Sequence, residues 1–255
     1  MQRMLRIPRS FFGYGVFLSV ILTVGMGATA ADKTICGASD DRDLSDNLKI
    51  GRVLERGAAA GCTITLIGRS CVISAGHCLG TFQLAEFNTP ASSNGRISHP
   101  GEKDIYEVDR TSVIYKNNGQ GEDFAVFRLK ANNITGQYAG DVQGHYNVSY
   151  RVPRVGALVR ITGYGADRSR GDRNYAQQSH LGPIAQISDS VLYHQVDTMG
   201  GNSGSTVILE EEQEIVAIHT HGGCGTYSGS NASTLISAHP ALKAAIQNCL
   251  KLAGR

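Results

Sequence analysis

Asp197-Thr198-Met199-Gly200-Gly201-Asn202-Ser203-Gly204-Ser205 is the stretch on which the reading of this chain turns. Two glycines before Ser203 and one after it leave the backbone free to turn sharply. Such a turn can expose the serine oxygen and aim neighbouring N–H groups at one point, the arrangement that a negatively charged reaction intermediate needs. Gly/Ser/Asn clusters are also ordinary loop sequence, so the run takes its meaning from what accompanies it.

A serine hydroxyl is a weak nucleophile until a base takes its proton. Of the eight histidines, one has distinctive company. In Cys71-Val72-Ile73-Ser74-Ala75-Gly76-His77-Cys78 an apolar, strand-like run passes into small residues and ends on His77, beside a cysteine that can pin it. The third member of such a set is a carboxylate that orients the imidazole and stabilises its charged form. Glu122-Asp123-Phe124-Ala125-Val126-Phe127-Arg128-Leu129 offers acids at the mouth of an apolar strand. Asp123 is the better placed, because the apolar run begins directly after it; Glu122 is expected to point to solvent.

Taken in order, Ser-Ala-Gly-His-Cys, Asp-Phe-Ala-Val and Gly-Asn-Ser-Gly-Ser resemble the His…Asp…Ser order of the chymotrypsin-fold (trypsin-like) serine proteases. Cys62 precedes Cys78 by sixteen residues, the spacing of that family's disulfide around the histidine loop. Val159-Arg160-Ile161-Thr162-Gly163-Tyr164-Gly165 is similar to the family's Thr-Gly-Trp-Gly strand, which opens the second barrel. The resemblance covers nearly all of the chain after about residue 36. Within the superfamily, Asp-Thr-x-Gly-Gly-x-Ser-Gly-Ser followed by His219-Thr220 looks most like the V8-like bacterial glutamyl endopeptidases. That branch often has proline after the last serine, where this chain has Thr206.

The resemblance implies an all-β fold of two packed antiparallel six-stranded β-barrels with a C-terminal α-helix, and an active site in the cleft between the barrels. It implies a protease domain over residues 31–255, with the first barrel at about 45–145, the second at about 155–238 and the helix at about 239–252. It also implies a mechanism. His77 takes the Ser203 proton, Asp123 holds the His77 tautomer, and the backbone N–H groups of Gly201 and Ser203 form the oxyanion hole. No cofactor or metal is required. The expected substrate is a protein or peptide. The Cys62–Cys78 pairing follows from the family, and fold-based pairings for the rest are Cys71 with Cys249 and Cys36 with Cys224.

Asp197, Thr198, His219 and Thr220 are the expected substrate-binding residues, and two of them pull in opposite directions. Asp197 stands six positions before Ser203, where trypsin-like members carry the aspartate that binds lysine or arginine. His219-Thr220 resembles the segment in which glutamyl endopeptidases place the histidine that meets the substrate carboxylate. The longer match favours Glu or Asp before the scissile bond. His221 is a nearer-solvent alternative to His219. The other readings are a Lys/Arg preference through Asp197, and an inactive homologue that binds a partner through the same fold.

The rest of the chain is compatible with export. Arg3, Arg6 and Arg9 precede an apolar stretch from Phe11 to Met26 that closes on Ala28-Thr29-Ala30, the pattern of a cleaved signal peptide over residues 1–30. The alternative is an uncleaved membrane anchor; no later segment is apolar for long enough to span, so no membrane contact is expected after cleavage. All six cysteines follow this leader, an even count that favours disulfides in the periplasm or the medium. No Cys-x-x-Cys or His-x-x-x-His spacing supports a metal site. The formal net charge of +2 includes the three leader arginines, and no basic stripe points to nucleic acid. Arg168-Ser169-Arg170-Gly171-Asp172-Arg173 reads as a solvated loop. Oligomeric state is not written in the sequence, with a monomer the default.

Short runs rich in β-branched and aromatic residues predict strands at Thr63–Ile67, Val191–Val196, Thr206–Leu209, Ile215–Ile218 and Thr234–Ser237. The 31 glycines break the chain as often as many tight turns require. Pro240 opens a helix whose inner face carries Leu242, Ala245, Ile246 and Cys249. Asn133, Asn147 and Asn231 head Asn-x-Ser/Thr triplets, to which no role is assigned.

Overall fold

The computed structural model describes residues 35–254; the predicted signal peptide lies outside the described residues. A two-residue strand, β1 (Asp43–Leu44), leads into a first barrel of β2 (Ile50–Leu54), β3 (Cys62–Leu66), β4 (Cys71–Ser74), β5 (Leu84–Glu86), β6 (Ile105–Asn117) and β7 (Asp123–Leu129). Its order is β2-β3-β4-β7-β6-β5, closed by antiparallel pairing of β5 with β2. A short helix α1 (Ala139–Gln143) and strand β8 (Asn147–Val148) lead to the second barrel. It comprises β9 (Leu158–Gly163), β10 (Gln178–Ser188), β11 (Val191–His194), β12 (Thr206–Leu209), β13 (Glu214–His221) and β14 (Asn231–Leu235). β9 pairs with both β10 and β12, which closes that ring as well. The barrels are antiparallel throughout; outside them, β8 lies parallel to β13.

Strand alternation sorts the side chains into three cores. On β3, Ile64 and Leu66 fill the first barrel with Val72, Phe82, Phe87 and Phe127. The intervening Thr63 and Thr65 turn toward the second barrel, where Thr65 Oγ1 meets Thr206 Oγ1 at 3.0 Å. Val159, Ile161, Val207, Val216 and Leu235 fill the second barrel. Between the barrels, Ile50, Ile73, Phe124, Val126, Ile208 and Ile218 join the inner face of helix α2 (Pro240–Ala253) in the third core. Because these strands are covered on both faces, β3, β4 and β12 are buried at every position and read as short apolar or Thr-rich runs.

Helix α2 follows from its sequence. Pro240 occupies the first turn, where no N–H is missed, and His239 Nδ1 accepts the Leu242 N–H at 3.2 Å as an N-cap. Leu242, Ala245, Ile246 and Cys249 are buried, as their spacing predicts. Disulfides join Cys71 to Cys249, Cys62 to Cys78 and Cys36 to Cys224. The first ties α2 to β4, the second closes the loop that carries His77, and the third fastens the start of the described chain to the loop after β13.

Candidate active site

The first barrel supplies His77 and Asp123. At the end of β4 the chain drops into a 3₁₀ turn, Gly76–Thr81. A side chain at Gly76 is excluded, since a Cβ there would lie 1.9 Å from Lys116 O and 2.7 Å from Phe124 O. This close approach lets Asp123, the first residue of β7, reach the turn. Its Oδ1 accepts the N–H groups of Gly76 (2.6 Å) and His77 (3.1 Å), and its Oδ2 lies 2.6 Å from His77 Nδ1. Asp123 is fully buried, and Thr234 Oγ1 donates to its carbonyl at 2.7 Å. A carboxylate only accepts, so the His77 proton sits on Nδ1 and the Nε2 lone pair faces outward. That lone pair is 2.7 Å from Ser203 Oγ. Glu122, by contrast, pairs with Lys116 and with His239 Nε2 at 3.2 Å, on the surface away from His77.

The second barrel supplies Ser203 on the turn between β11 and β12. Gly201 and Gly204 have φ values of 103° and 88°, which favour glycine. A Cβ on Gly204 would meet Ser74 Oγ at 2.2 Å and Thr63 O at 2.3 Å, so the turn packs directly on the first barrel. Hydrogen bonds hold it from both sides. Thr63 N–H donates to Ser203 O (2.8 Å), Thr63 Oγ1 to Gly201 O (2.9 Å), Ala166 N–H to Gly200 O (2.8 Å) and Gly204 N–H to His219 O (2.9 Å).

Asp197, Thr198, His219 and Thr220 are all buried beside this turn. Both carboxylate oxygens of Asp197 are engaged: Oδ1 accepts Cys36 N–H at 2.7 Å and Oδ2 accepts Asp41 N–H at 2.9 Å. Burial pushes its carboxyl above the ordinary range, against the lowering effect of those two N–H groups. Its own N–H donates to His180 Nδ1 at 2.8 Å. His219 Nδ1 lies 3.1 Å from His194 Nε2. Val196 N–H donates to His194 Nδ1 at 3.2 Å, so in the neutral pair His194 carries its proton on Nε2 and gives it to His219 Nδ1. His219 then carries its own proton on Nε2, as a donor. His221 lies nearer solvent, with its Nδ1 2.8 Å from Thr220 Oγ1 and its ring centroid 6.2 Å from that of His77, the two planes inclined at 62°.

Sequence reasoning missed His194, His180, Thr234 and Asn231. The Asn231 amide donates to Val196 O (2.9 Å) and Thr198 Oγ1 (3.0 Å) and accepts Gly223 and Cys224 N–H groups at 3.0 and 3.2 Å. Its only sequence signal was the Asn-x-Ser triplet, which carried no structural meaning. Cys62 and Cys78 lie close enough to His77 to form a ligand set, but their sulfurs are joined to each other.

The profile described as Trypsin matches residues 46–239, most of the chain and all of the groups above apart from the first residues of the N-terminal segment. The chain belongs to the trypsin family. This trypsin-family chain is 29% identical over 185 residues to the glutamyl endopeptidase of Bacillus licheniformis, covering 67% of this chain and 53% of that protein. It is 26% identical over 184 residues to a Bacillus subtilis protein named extracellular metalloprotease, covering 68% of this chain and 55% of that protein. The chain thus spans about half the length of these curated relatives. Among solved structures, a Glu endopeptidase in complex with MPD superposes with a TM-score of 0.65 at 19% identity, over 85% of this chain and 100% of the other. Protease Anisep from Arthrobacter nicotinovorans superposes at 0.62 with 17% identity, over 82% of this chain and 99% of the other. The two-barrel fold is therefore the family's own.

Proposed function

We propose that the protein is an exported serine endopeptidase that cleaves after Glu or Asp. One observation carries the chemistry: His77 Nε2 is 2.7 Å from Ser203 Oγ while His77 Nδ1 is 2.6 Å from the buried Asp123. Ser203 Oγ attacks the scissile carbonyl carbon as its proton passes to His77 Nε2. The imidazolium so formed is stabilised by Asp123, and the carbonyl oxygen takes up negative charge against the N–H groups of Gly201 and Ser203. One such donor contributes about 3 kcal/mol to the transition state. Collapse of the tetrahedral species breaks the C–N bond, His77 gives its proton to the leaving amine, and water on the same base then cleaves the acyl-enzyme.

The acidic preference rests on the pocket floor. Asp197 spends both oxygens on the N–H groups of Cys36 and Asp41, and burial favours its neutral form. With both oxygens turned to those N–H groups, it is not presented to a lysine or arginine. His219 pairs with the Ser203 turn through its backbone and, through His194, is oriented as an Nε2–H donor, the group a carboxylate accepts from. Three disulfides fit an oxidising compartment, in agreement with secretion. Cleavage-site profiling on a peptide library tests the whole reading. The expected profile has Glu or Asp before the cut, is absent in Ser203→Ala, and loses its acidic bias in His219→Ala. Efficient cleavage after Arg, lost in Asp197→Ser and indifferent to His219→Ala, overturns the acidic assignment.

A further inference from the structure

One buried charge takes no part in the steps above. Arg42 lies just before β1 with its side chain 2% exposed, and a guanidinium keeps its charge in proteins. Its Nε and Nη2 pair with the two oxygens of Asp40 at 2.8 Å each, and Nη2 also donates to Ala166 O at 3.0 Å. The remaining nitrogen, Nη1, is buried and has no hydrogen-bond partner among the described residues. An unpaired buried donor is costly, so its position calls for a reason. Nη1 stands against the turn before Ser203: a Cβ on Gly165 would meet Arg42 Nη1 at 2.4 Å and Asn202 Oδ1 at 2.1 Å.

From Arg42 to the proposed oxyanion hole the path is short. Arg42 anchors Ala166 through its carbonyl, and the Ala166 N–H donates to Gly200 O at 2.8 Å. The Gly200–Gly201 peptide is flanked by glycine on both sides, so nothing in its own residues resists rotation of its plane. In a trans peptide the C=O and the following N–H point in opposite directions. Holding Gly200 O therefore fixes the direction of Gly201 N–H. The segment that brings Arg42 here is itself docked: Asp41 N–H is on Asp197, Asp40 is held by Arg170 at 2.7 Å, and Arg42 O accepts from Arg173 Nη1 at 2.6 Å.

We infer that Arg42 is a positioning residue, which through Ala166 keeps the Gly200–Gly201 peptide turned so that Gly201 N–H serves the oxyanion hole. The inference rests on the serine-endopeptidase reading. The test compares wild type with Arg42→Met, which keeps the bulk without the hydrogen bonds, and with Asp40→Asn, which keeps the guanidinium but loosens its anchor. Three measurements are made for each: the kinetics on a cleaved peptide, inhibition by a peptide boronic acid whose adduct fills the oxyanion hole, and inhibition by the N-terminal product peptide. For Arg42→Met, kcat should fall about tenfold or more with KM within about threefold, and the boronate Ki should rise by a similar factor while the product Ki stays put. Asp40→Asn should move the same way by less. A folded Arg42→Met with kcat and boronate Ki within about twofold of wild type overturns the inference, as does equal weakening of boronate and product. If Arg42→Met does not fold, unchanged kcat and boronate Ki in Asp40→Asn overturn it. A folded wild type that hydrolyses no peptide defeats the endopeptidase reading, and this inference with it, whereas an active wild type with indifferent variants defeats this inference alone.

Discussion

Ser203 Oγ lies 2.7 Å from His77 Nε2, and in the proposed mechanism Asp123, 2.6 Å from His77 Nδ1, decides which imidazole nitrogen can take the serine proton. The buried carboxylate has three N–H partners in one small region, two of them backbone. Replacing Asp123 by Asn keeps the shape but offers a donor where acceptors are needed, so the His77 ring is driven to the tautomer with its proton facing Ser203. Asp123→Asn should therefore lower kcat by about 10⁴ with little change in KM, read from initial rates on a peptide substrate. A neutral effect would pass the orienting role to another acid, and Glu122 is the one beside it. The same residue-scale argument applies at His219, where a single backbone N–H on His194 sets the tautomer of a two-histidine chain.

Among the elements, the segment 36–43 shows how much can be carried by chain that is barely regular. Burial alone would raise the Asp40 carboxyl, but the hydrogen bonds and charge of Arg42 outweigh it and hold the group below its ordinary value of 3.8. The folded chain then binds this proton less readily than the unfolded one. The stability Asp40 contributes is complete above about pH 4 and is lost as pH falls through the lower folded value. Melting curves should show Asp40→Asn a few degrees less stable than wild type at pH 7, about 2–4 °C, with the gap narrowing as pH falls below 3.8. A gap that does not narrow at all as the solution is acidified below 3.8 contradicts this assignment. This segment was illegible in the sequence, because an Asp-Asp-Arg-Asp run reads as a solvated loop until its partners at Asp197, Ala166 and Arg170 are known. Long strands were hidden for a related reason. β6 and β10 are half exposed and carry register shifts, so neither shows a clean alternation. The buried β3 and β12 and the amphipathic α2 announced themselves by composition and spacing.

On the scale of the molecule, no single barrel holds the site. His77 and Asp123 stand on the first, Ser203 on the second, and their distances depend on the apolar layer of Ile50, Phe124, Val126, Ile208 and Ile218 that sets the barrels together. Thr63 shows the coupling most directly. It is a first-barrel residue whose N–H and hydroxyl hold the carbonyls of Ser203 and Gly201. The motifs around His77, Asp123 and Ser203 were readable because each needs small residues or a strand start at a fixed place. The proposed specificity residues were less so: Asn231 lies far from those motifs in sequence, and His194, although only three residues before Asp197, meets His219 only once β11 and β13 pair on either side of β14. The central claim is that this two-barrel assembly makes Ser203 a nucleophile. Intact-mass and peptide-mapping analysis after treatment with a fluorophosphonate tests it directly. The account predicts one phosphonyl group, on Ser203, in the folded wild type and none in Ser203→Ala or His77→Ala. A folded, disulfide-intact wild type that remains unlabelled would contradict it.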